Sequence, residues 1–569
     1  MKTLKGVPVS SGITIGKVQI IARPKLKIRR KNIRQEQIET ELQKFEKCLQ
    51  AAINEIDQLI SLSENIDNRN ILNTHKMILR DPEFHKNINK MVAEDLLSLE
   101  MAIKNHFSSI IEIFNNIENE YFSQRSSDFE DVAYRLLSKI LDKKNDKFAE
   151  LQDDVILVTE NITPSEVTRV FQKKIKALCT EKGSKNSHSS IIARSMNLPT
   201  LVSITGLTDN IKNGDDVIVD ANEGVLIIKP DESTMHRFRP LWEYEKQERI
   251  KLAQLVDEDC ITQDGRTINL MSNIEIPAEL DQVLKIRSKG IGLFRTEFLF
   301  MGHKGLPDED EQYEIYLHIA EKLYPHPVVI RTIDVGGDKL SQILNIEHEL
   351  NPNLGTRGIR ISLKHIPVFK TQIRAILRAN RKGNIRIMFP MISTVGEIIN
   401  IKNIVQQSRG ELLEEGYEFE PDIAIGAMIE IPSAAITSDS IAEECNFLSI
   451  GTNDLVQYTL AVDRDNDTVE QYYIPHHPSV LRLIKMTAEN CHQHGIKVAI
   501  CGEMASEKKY IPLLVGLGID EFSVSPGRLL MVKNEIRKCK YQDVRKMAED
   551  ILHYKTYIDV YTRITAKEC

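Results

Sequence analysis

The sequence predicts a multidomain α/β protein: an N-terminal α/β unit with an all-helical insertion, a linker helix, and a C-terminal closed (β/α)8 barrel of the TIM type. Three observations predict it. Beyond Asp264-Gly265, eight short apolar runs alternate with helix-compatible stretches until Ser525. Eight buried strands alternating with helices over about 300 residues indicate a closed barrel ahead of an open doubly wound sheet. From Ile33 to about Asp146 the chain is charged and nearly free of glycine and proline, with apolar residues at helical spacing. Strand-like runs stand on both sides of that stretch, at 7–21 and from Asp154 onward, so the helices read as an insertion into one α/β unit. The expected divisions are 1–32 with 147–231 for the α/β unit, 33–146 for the helices, 232–261 for the linker and 262–569 for the barrel.

Composition narrows the function classes. The 569 residues carry 82 acidic against 74 basic side chains, a formal charge of −8. That balance makes no general electrostatic case for nucleic acid or an anionic membrane. Eight cysteines are scattered without CxxC pairs, which suggests free thiols in a reducing compartment. No apolar run approaches the roughly 18 residues needed to span a bilayer. The start, MKTLKGVPVSSGITIGK, lacks a continuous apolar core and a cleavage site, so no signal peptide is expected and the protein is read as soluble and cytoplasmic.

Within the N-terminal part, residues 7 to 21 hold two β-type runs around Ser10-Ser11-Gly12 and Gly16. In the helical stretch, Ile38, Leu42, Phe45, Leu49, Ala52, Ile56 and Leu59 recur at alternating steps of four and three, a seam that faces another helix. Leu96 to Ile113 and Val132 to Leu141 offer comparable faces, so antiparallel helix pairs are expected. Such an insertion is either a structural arm or a docking platform for a partner. His75 to Glu83 (HKMILRDPE) mixes apolar and charged groups where one helix ends and another begins at Pro82. An exposed Met77 and Ile78 within a charged rim there would suit a small transient interface.

The α/β pattern returns with DVILVTENITPSEV, a strand and a helix capped near Thr163 and Ser165, and with the strand KALC at 176–179. Next comes GSKNSHSSIIARSMNLPTLV, from Gly183 to Val202. His188 sits at its strand-to-helix turn between the N-cap residues Ser187 and Ser189. The free N–H groups and positive pole of a helix start suit a phosphoryl group and disfavour imidazolium, so a neutral, nucleophilic ring is expected. The simpler alternative is a polar turn residue. Gly214 to Lys229 reads as two strands joined through Asn222-Glu223-Gly224. Residues 232–258, with Trp242, are polar and helix-compatible and would make a semi-rigid linker.

The barrel strands are expected at Thr267–Met271, Ile291–Arg295, Val328–Thr332, Ile385–Pro390, Ile423–Glu430, Phe447–Thr452, Val498–Gly502 and Glu521–Ser525. Chemistry in such a barrel lies at the C-terminal strand ends. There stand Arg295-Thr296-Glu297, then Arg331 to Asp334 followed by Gly336-Gly337-Asp338-Lys339, then Glu430, Asn453-Asp454 and Cys501-Gly502-Glu503. Arginines beside carboxylates at one mouth describe a site for a small phosphorylated anion. Glu430 and Asp454 are oxygen ligands of the kind Mg²⁺ takes.

The run SHSSIIARSMNLPTLV resembles the phosphohistidine loop of the phosphoenolpyruvate-utilising enzymes. Ala193 and Arg194 match that loop, while Ser184 and Asn186 replace its usual glycine and threonine. GIGLFRTEFLFM, VVIRTIDVGGDK, NPNLGTRGIRISL, GAMIEIPSAA, FLSIGTNDLVQYTLAVDRDN, HHPSVLRLI and VAICGEMAS resemble the barrel motifs of the Enzyme I family of the bacterial sugar phosphotransferase system. QRSSDFEDVAYRLL and DVILVTENITPSEV extend the likeness over essentially the whole chain.

The resemblance implies a Mg²⁺-dependent phosphoenolpyruvate-protein phosphotransferase. His188 would be the phosphorylated histidine; Arg295, Arg331, Asn453, Asp454 and Arg464 would bind phosphoenolpyruvate; Glu430 and Asp454 would be metal ligands, and Cys501 the proton donor. It further implies docking of the carrier protein HPr on the helical insertion, and homodimerisation through the barrel half. Where that family often has glutamates before the histidine matching His75, this chain has Asn68, Asn70 and Asn73. The alternative is a regulatory paralogue that phosphorylates a different carrier without sugar transport. A dikinase or synthase relative would add a nucleotide-binding region, and no P-loop precedes His188.

Overall fold

The computed structural model describes residues 1–21, 28, 32–62, 66–115, 120–141, 151–162, 170, 173–183, 190, 193, 198–301, 306–335, 349, 351–464, 466 and 468–566. His188, Ser184, Asn186, Arg194, the cap at Thr163 and Ser165, and Gly336-Gly337-Asp338-Lys339 lie outside the described residues. The chain divides into two compact units, Met1–Glu248 and Arg249–Cys569.

The first unit contains an eight-stranded sheet formed by β1 (Lys2–Lys5), β2 (Val7–Ser10), β3 (Ile13–Ile20), β4 (Ile156–Thr159), β5 (Ala177–Thr180), β6 (Thr200–Val202), β7 (Asp216–Asp220) and β8 (Val225–Ile228). Its order is β1-β8-β7-β3-β4-β5-β6-β2. β3 to β6 run parallel, and β7 pairs antiparallel with both β3 and β8. The expected β7–β8 hairpin is present, with Asp220 facing Val225. Its turn needs Gly224, which has φ +70° and stands so near Gly6 that a Cβ would lie 2.7 Å from the Gly6 carbonyl.

Between β3 and β4 come helices α1 (Ile38–Leu62), α2 (Ile66–Arg80), α3 (Pro82–Ala93), α4 (Leu99–Asn115) and α5 (Glu120–Ile140). The seam of α1 buries Phe45, Leu49, Ala52 and Ile56 against Leu79, Phe84, Ile88, Phe107 and Leu136, as its spacing requires. Pro82 opens α3, where it needs no N–H partner, and Asp81 caps the helix by accepting from the Glu83 N–H at 2.8 Å. Of the pair expected on the surface there, Met77 is 65% exposed. Ile78 departs from expectation: it is only partly exposed and packs on the helical core, because its helix turns it toward that seam.

The residues expected as a linker are helical over Glu232–Ala253. Glu245 accepts from the Ile13 N–H at 2.8 Å, and the Trp242 ring packs beside Ile13 and Phe238. After this helix, Lys533 donates to the carbonyls of Leu255, Val256 and Glu258 at 3.0, 3.2 and 2.8 Å, satisfying acceptors of the turns that follow it.

The second unit is a closed barrel of eight parallel strands: β9 (Asn269–Ile274), β10 (Ile291–Arg295), β11 (Val328–Arg331), β12 (Ile385–Phe389), β13 (Ala424–Ile429), β14 (Phe447–Gly451), β15 (Lys497–Cys501) and β16 (Glu521–Val524), with β16 pairing back onto β9. β9 starts two residues later than expected because Thr267 is diverted into an antiparallel bridge with Ile261. Among the described residues, no helix is long and apolar enough to cross a membrane.

Candidate active site at the barrel mouth

Strand geometry places the candidate side chains. Leu293, Val329, Met388, Met428, Phe447 and Cys501 form a cluster inside the barrel. Two residues beyond Leu293, Val329 and Met428 come Arg295, Arg331 and Glu430. Side chains two apart on a strand share a face, so these three project from the interior layer toward the C-terminal mouth. Gly451, at the end of β14, keeps the mouth open: a Cβ there would stand 2.7 Å from Glu430 Oε2.

Arg331 is 7% exposed. It donates from Nη2 to Glu297 Oε1 at 2.7 Å, pairs through Nη1 with Asp334 Oδ2 at 3.0 Å, and rests Nη1 on Met428 Sδ at 3.9 Å. Burial works against its charge, but Glu297, Asp334 and Glu430 hold it above the ordinary arginine value. Arg295 reaches Glu275 Oε1 at 2.7 Å. The Nε groups of Arg295 and Arg331 are buried and have no acceptor among the described residues, an expensive arrangement unless a ligand completes it. Behind both strand ends, Thr296 Oγ1 donates to the Arg331 carbonyl at 2.9 Å, and Gln372 Nε2 donates to Thr296 Oγ1 at 3.1 Å. Gln372 Oε1 accepts from the Ile333 N–H at 3.0 Å.

Glu430 is 1% exposed, and its Oε1 accepts from the Met391 N–H at 2.7 Å. Met391 holds that N–H in place with φ +59°, a left-handed conformation rare for a non-glycine residue. Burial, and then the carboxylates of Asp454 and Asp334, push the Glu430 carboxyl up to about 8. Asp334 goes the other way: burial would lift it, but Arg331 and Arg357 hold it below the usual carboxylate range.

Asn453 Oδ1 accepts from the Glu503 N–H at 3.0 Å, and its carbonyl from the Tyr473 hydroxyl at 3.1 Å. Arg464 has an exposed side chain, and its N–H donates to Gln457 Oε1 at 3.2 Å. Cys501 is 3% exposed; its thiol donates to the Ile450 carbonyl at 3.5 Å and receives the Ser449 hydroxyl at 3.8 Å. Burial pushes that thiol up to about 11 against the opposing pull of Ser449. It is therefore a protonated acid at neutral pH.

Inspection of strand ends did not single out Arg357. It is 7% exposed and lies in the loop after β11, and its guanidinium bridges Asp334 and Asp454. The available signal was the pair of glycines around it in NLGTRGIR: Gly358 has φ +57°, and a Cβ there would stand 2.8 Å from the Met391 side chain and 3.1 Å from Asp334 Oδ1. Thus Arg331, Arg357, Glu430 and Asp454 form one buried charged cluster, Arg295 ends β10 beside β11, Cys501 ends β15 beside β14, and Arg464 lies at the surface. His188 lies outside the described residues.

Three family models tile the chain: "PEP-utilising enzyme, N-terminal" matches residues 5–125, "PEP-utilising enzyme, mobile domain" 151–224, and "PEP-utilising enzyme, PEP-binding domain" 249–541. The class defined by this barrel and its charged mouth is that of the phosphoenolpyruvate-utilising enzymes. Among curated proteins, the phosphoenolpyruvate-protein phosphotransferase of Bacillus subtilis is 37% identical over 98% of this chain and 98% of its own length. The Priestia megaterium protein of the same name is 37% identical over 97% and 96%, and that of Staphylococcus aureus 35% over 98% and 98%. The chain belongs to the phosphoenolpyruvate-protein phosphotransferase family.

Proposed function

We propose that this protein transfers the phosphoryl group of phosphoenolpyruvate to its own His188 and then to a histidine of an HPr-like phosphocarrier, releasing pyruvate as the first step of a sugar phosphotransferase system. One observation carries the substrate assignment: Arg295 and Arg331 approach one mouth with buried N–H groups that have no acceptor among the described residues, beside a buried carboxylate pair. A small anion carrying both a phosphate and a carboxylate supplies such acceptors. Arg295, Arg331, Asn453, Asp454 and Arg464 are assigned to phosphoenolpyruvate, with Arg357 as a further guanidinium within the same cluster.

Glu430 and Asp454 suit Mg²⁺. The carboxylates of Glu297, Asp334, Glu430 and Asp454 outnumber the guanidinium groups of Arg331 and Arg357 around them, and Glu430 is raised first by burial and then by Asp454 and Asp334. Among the described residues no set of three or more Asp, Glu, His or Cys forms a metal cage, so two carboxylates would hold the ion with water and substrate oxygens. When bound, the cation supplies Lewis-acid stabilisation of the enolate oxygen. The arginines neutralise the phosphoryl oxygens while the P–O bond breaks and the new bond to His188 forms. Cys501 gives its proton to the enolate carbon, leaving pyruvate and a thiolate that solvent reprotonates.

The exposed Met77 at the α2–α3 junction supports the helical insertion as the carrier docking surface. Pairing of barrels into a homodimer and a cytoplasmic location complete the reading. The test uses phosphoenolpyruvate labelled in its phosphoryl group, with and without Mg²⁺, followed by candidate carriers. Wild-type protein takes acid-labile, base-stable label and passes it on, whereas His188→Ala takes none; undiminished labelling of that variant would remove His188 from the reaction.

A further inference from the structure

The carboxylate of Asp454 is not idle in this structure. Arg357 Nη1 donates to Asp454 Oδ1 at 3.2 Å, and Nη2 to Oδ2 at 3.4 Å. The same guanidinium donates from Nε to Asp334 Oδ1 at 3.2 Å and from Nη2 to Asp334 Oδ2 at 3.1 Å, while Nη1 also reaches the Tyr458 hydroxyl at 3.2 Å. All three of its nitrogens are engaged, by Asp334 from the end of β11 on one side and by Asp454 and Tyr458, one turn apart on the helix Thr452–Leu460, on the other. Asp334 is anchored independently, by Arg331 Nη1 at 3.0 Å and by its own N–H donating to Glu297 Oε1 at 3.1 Å. Arg357 therefore has one fixed carboxylate partner and one that is also the assigned cation ligand.

A guanidinium and a small divalent cation compete for the same lone pairs. Mg²⁺ sits about 2.0–2.1 Å from a carboxylate oxygen, and positive charge so close repels a second cation on the same group. We propose that Arg357 is an internal counter-cation: it holds Asp454 in the metal-free protein, and cation uptake displaces it so that it pivots on Asp334 and presents its Nη groups to the phosphoryl oxygens of the substrate. This rests on the assignment of Asp454 as a metal ligand. An arginine suits the role because its planar fork can keep one carboxylate while releasing another, which a lysine cannot do. Cation and phosphorylated anion are then coupled through one side chain, each easing the binding of the other.

A counter-cation and a purely structural ion pair predict opposite results for the metal alone. The experiment is titration of full-length protein with Mn²⁺ in the absence of phosphoenolpyruvate, with free Mn²⁺ read by electron paramagnetic resonance and folding checked by thermal unfolding. Arg357→Gln is expected to bind Mn²⁺ at least fivefold more tightly than wild type. Arg357→Lys, which keeps the charge but not the fork, should fall between them, and it carries the test if the glutamine variant does not fold. Asp454→Asn should bind at least tenfold more weakly. If Asp454→Asn weakens binding while neither folded Arg357 variant binds more tightly than wild type, the exchange is wrong and the metal assignment stands. If Asp454→Asn binds Mn²⁺ as wild type does, the metal assignment falls and the exchange falls with it.

Discussion

Burial of Cys501 determines how its thiol should behave in solution. Its pKa is pushed from an ordinary 9.0 to about 11, so at pH 7.5 roughly one thiol in three thousand is ionised, against roughly one in thirty for an unperturbed thiol. Only the thiolate reacts with an alkylating agent. The absolute rate also depends on access, which is poor at 3% exposure, but the pH dependence does not. Full-length protein is treated with iodoacetamide between pH 7 and 10, and modification of the Cys501 peptide is followed by mass spectrometry. The rate should rise about tenfold per pH unit with no plateau up to pH 10. A plateau at or below pH 9 would refute the argument, because it would require a thiol acidic enough to be partly a nucleophile at neutral pH. The same protonation makes Cys501→Ala a specific lesion. It should accept phosphate from a phosphorylated carrier yet lose about 10²–10⁴-fold in pyruvate formation, the usual worth of a general acid.

Gly451→Ala places a methyl group 2.7 Å from Glu430 Oε2 and 3.2 Å from Met428 Sδ; overpacking there should cost about 1–3 kcal/mol of stability and displace Glu430, weakening Mn²⁺ binding. Gly410→Ala, with nothing within 4 Å in the C-terminal part of the helix Val395–Glu414, should gain up to about 1 kcal/mol by helix propensity and leave Mn²⁺ binding alone. Thermal unfolding and Mn²⁺ titration of both variants check the pair, and equal metal affinity in all three proteins would count against the glycine's role. His476 packs among Tyr510, Tyr557 and Tyr561, and burial, then Lys509 and His477, lower its pKa from 6.5 to about 4. Because the unfolded chain binds the proton more readily, the stability due to this site is complete above pH 6.5 and is lost as pH falls toward 4. His476→Gln should flatten that part of the stability–pH curve measured by urea unfolding; an unchanged slope contradicts the assignment.

Much of the barrel was legible because each strand is short, apolar and bounded by helix-compatible sequence, so all eight were located from pattern alone. Edges were less legible. β1, Lys2–Lys5, carries two lysines in four residues and pairs only with β8, so composition hides it. The start of β9 depended on a bridge to Ile261 that no local signal announces. Residues at strand ends could be named because period two and barrel topology fix where they point. Arg357 could not, since its place beside Asp454 depends on the path of a loop between strands. Cys501 was identifiable as a strand-end thiol, but its bed of Ser449 and Ile450 follows from the β14–β15 register, in which Cys501 faces Gly451.

Met428, beneath Arg331, bears on how easily that arginine can turn. A thioether is a weak hydrogen-bond acceptor but a polarisable surface, so the guanidinium loses little when its Nη1 lifts from Sδ toward an arriving oxyanion. An amide or carboxylate at position 428 would have added a strong downward bond to the ion pairs that Arg331 already makes with Glu297 and Asp334. The sulfur-lined floor from Met388 and Met428 to Cys501 thus acts as a low-friction bearing. It supports the charged groups above it by contact, while Glu297 and Asp334 hold the Arg331 guanidinium by its directional bonds.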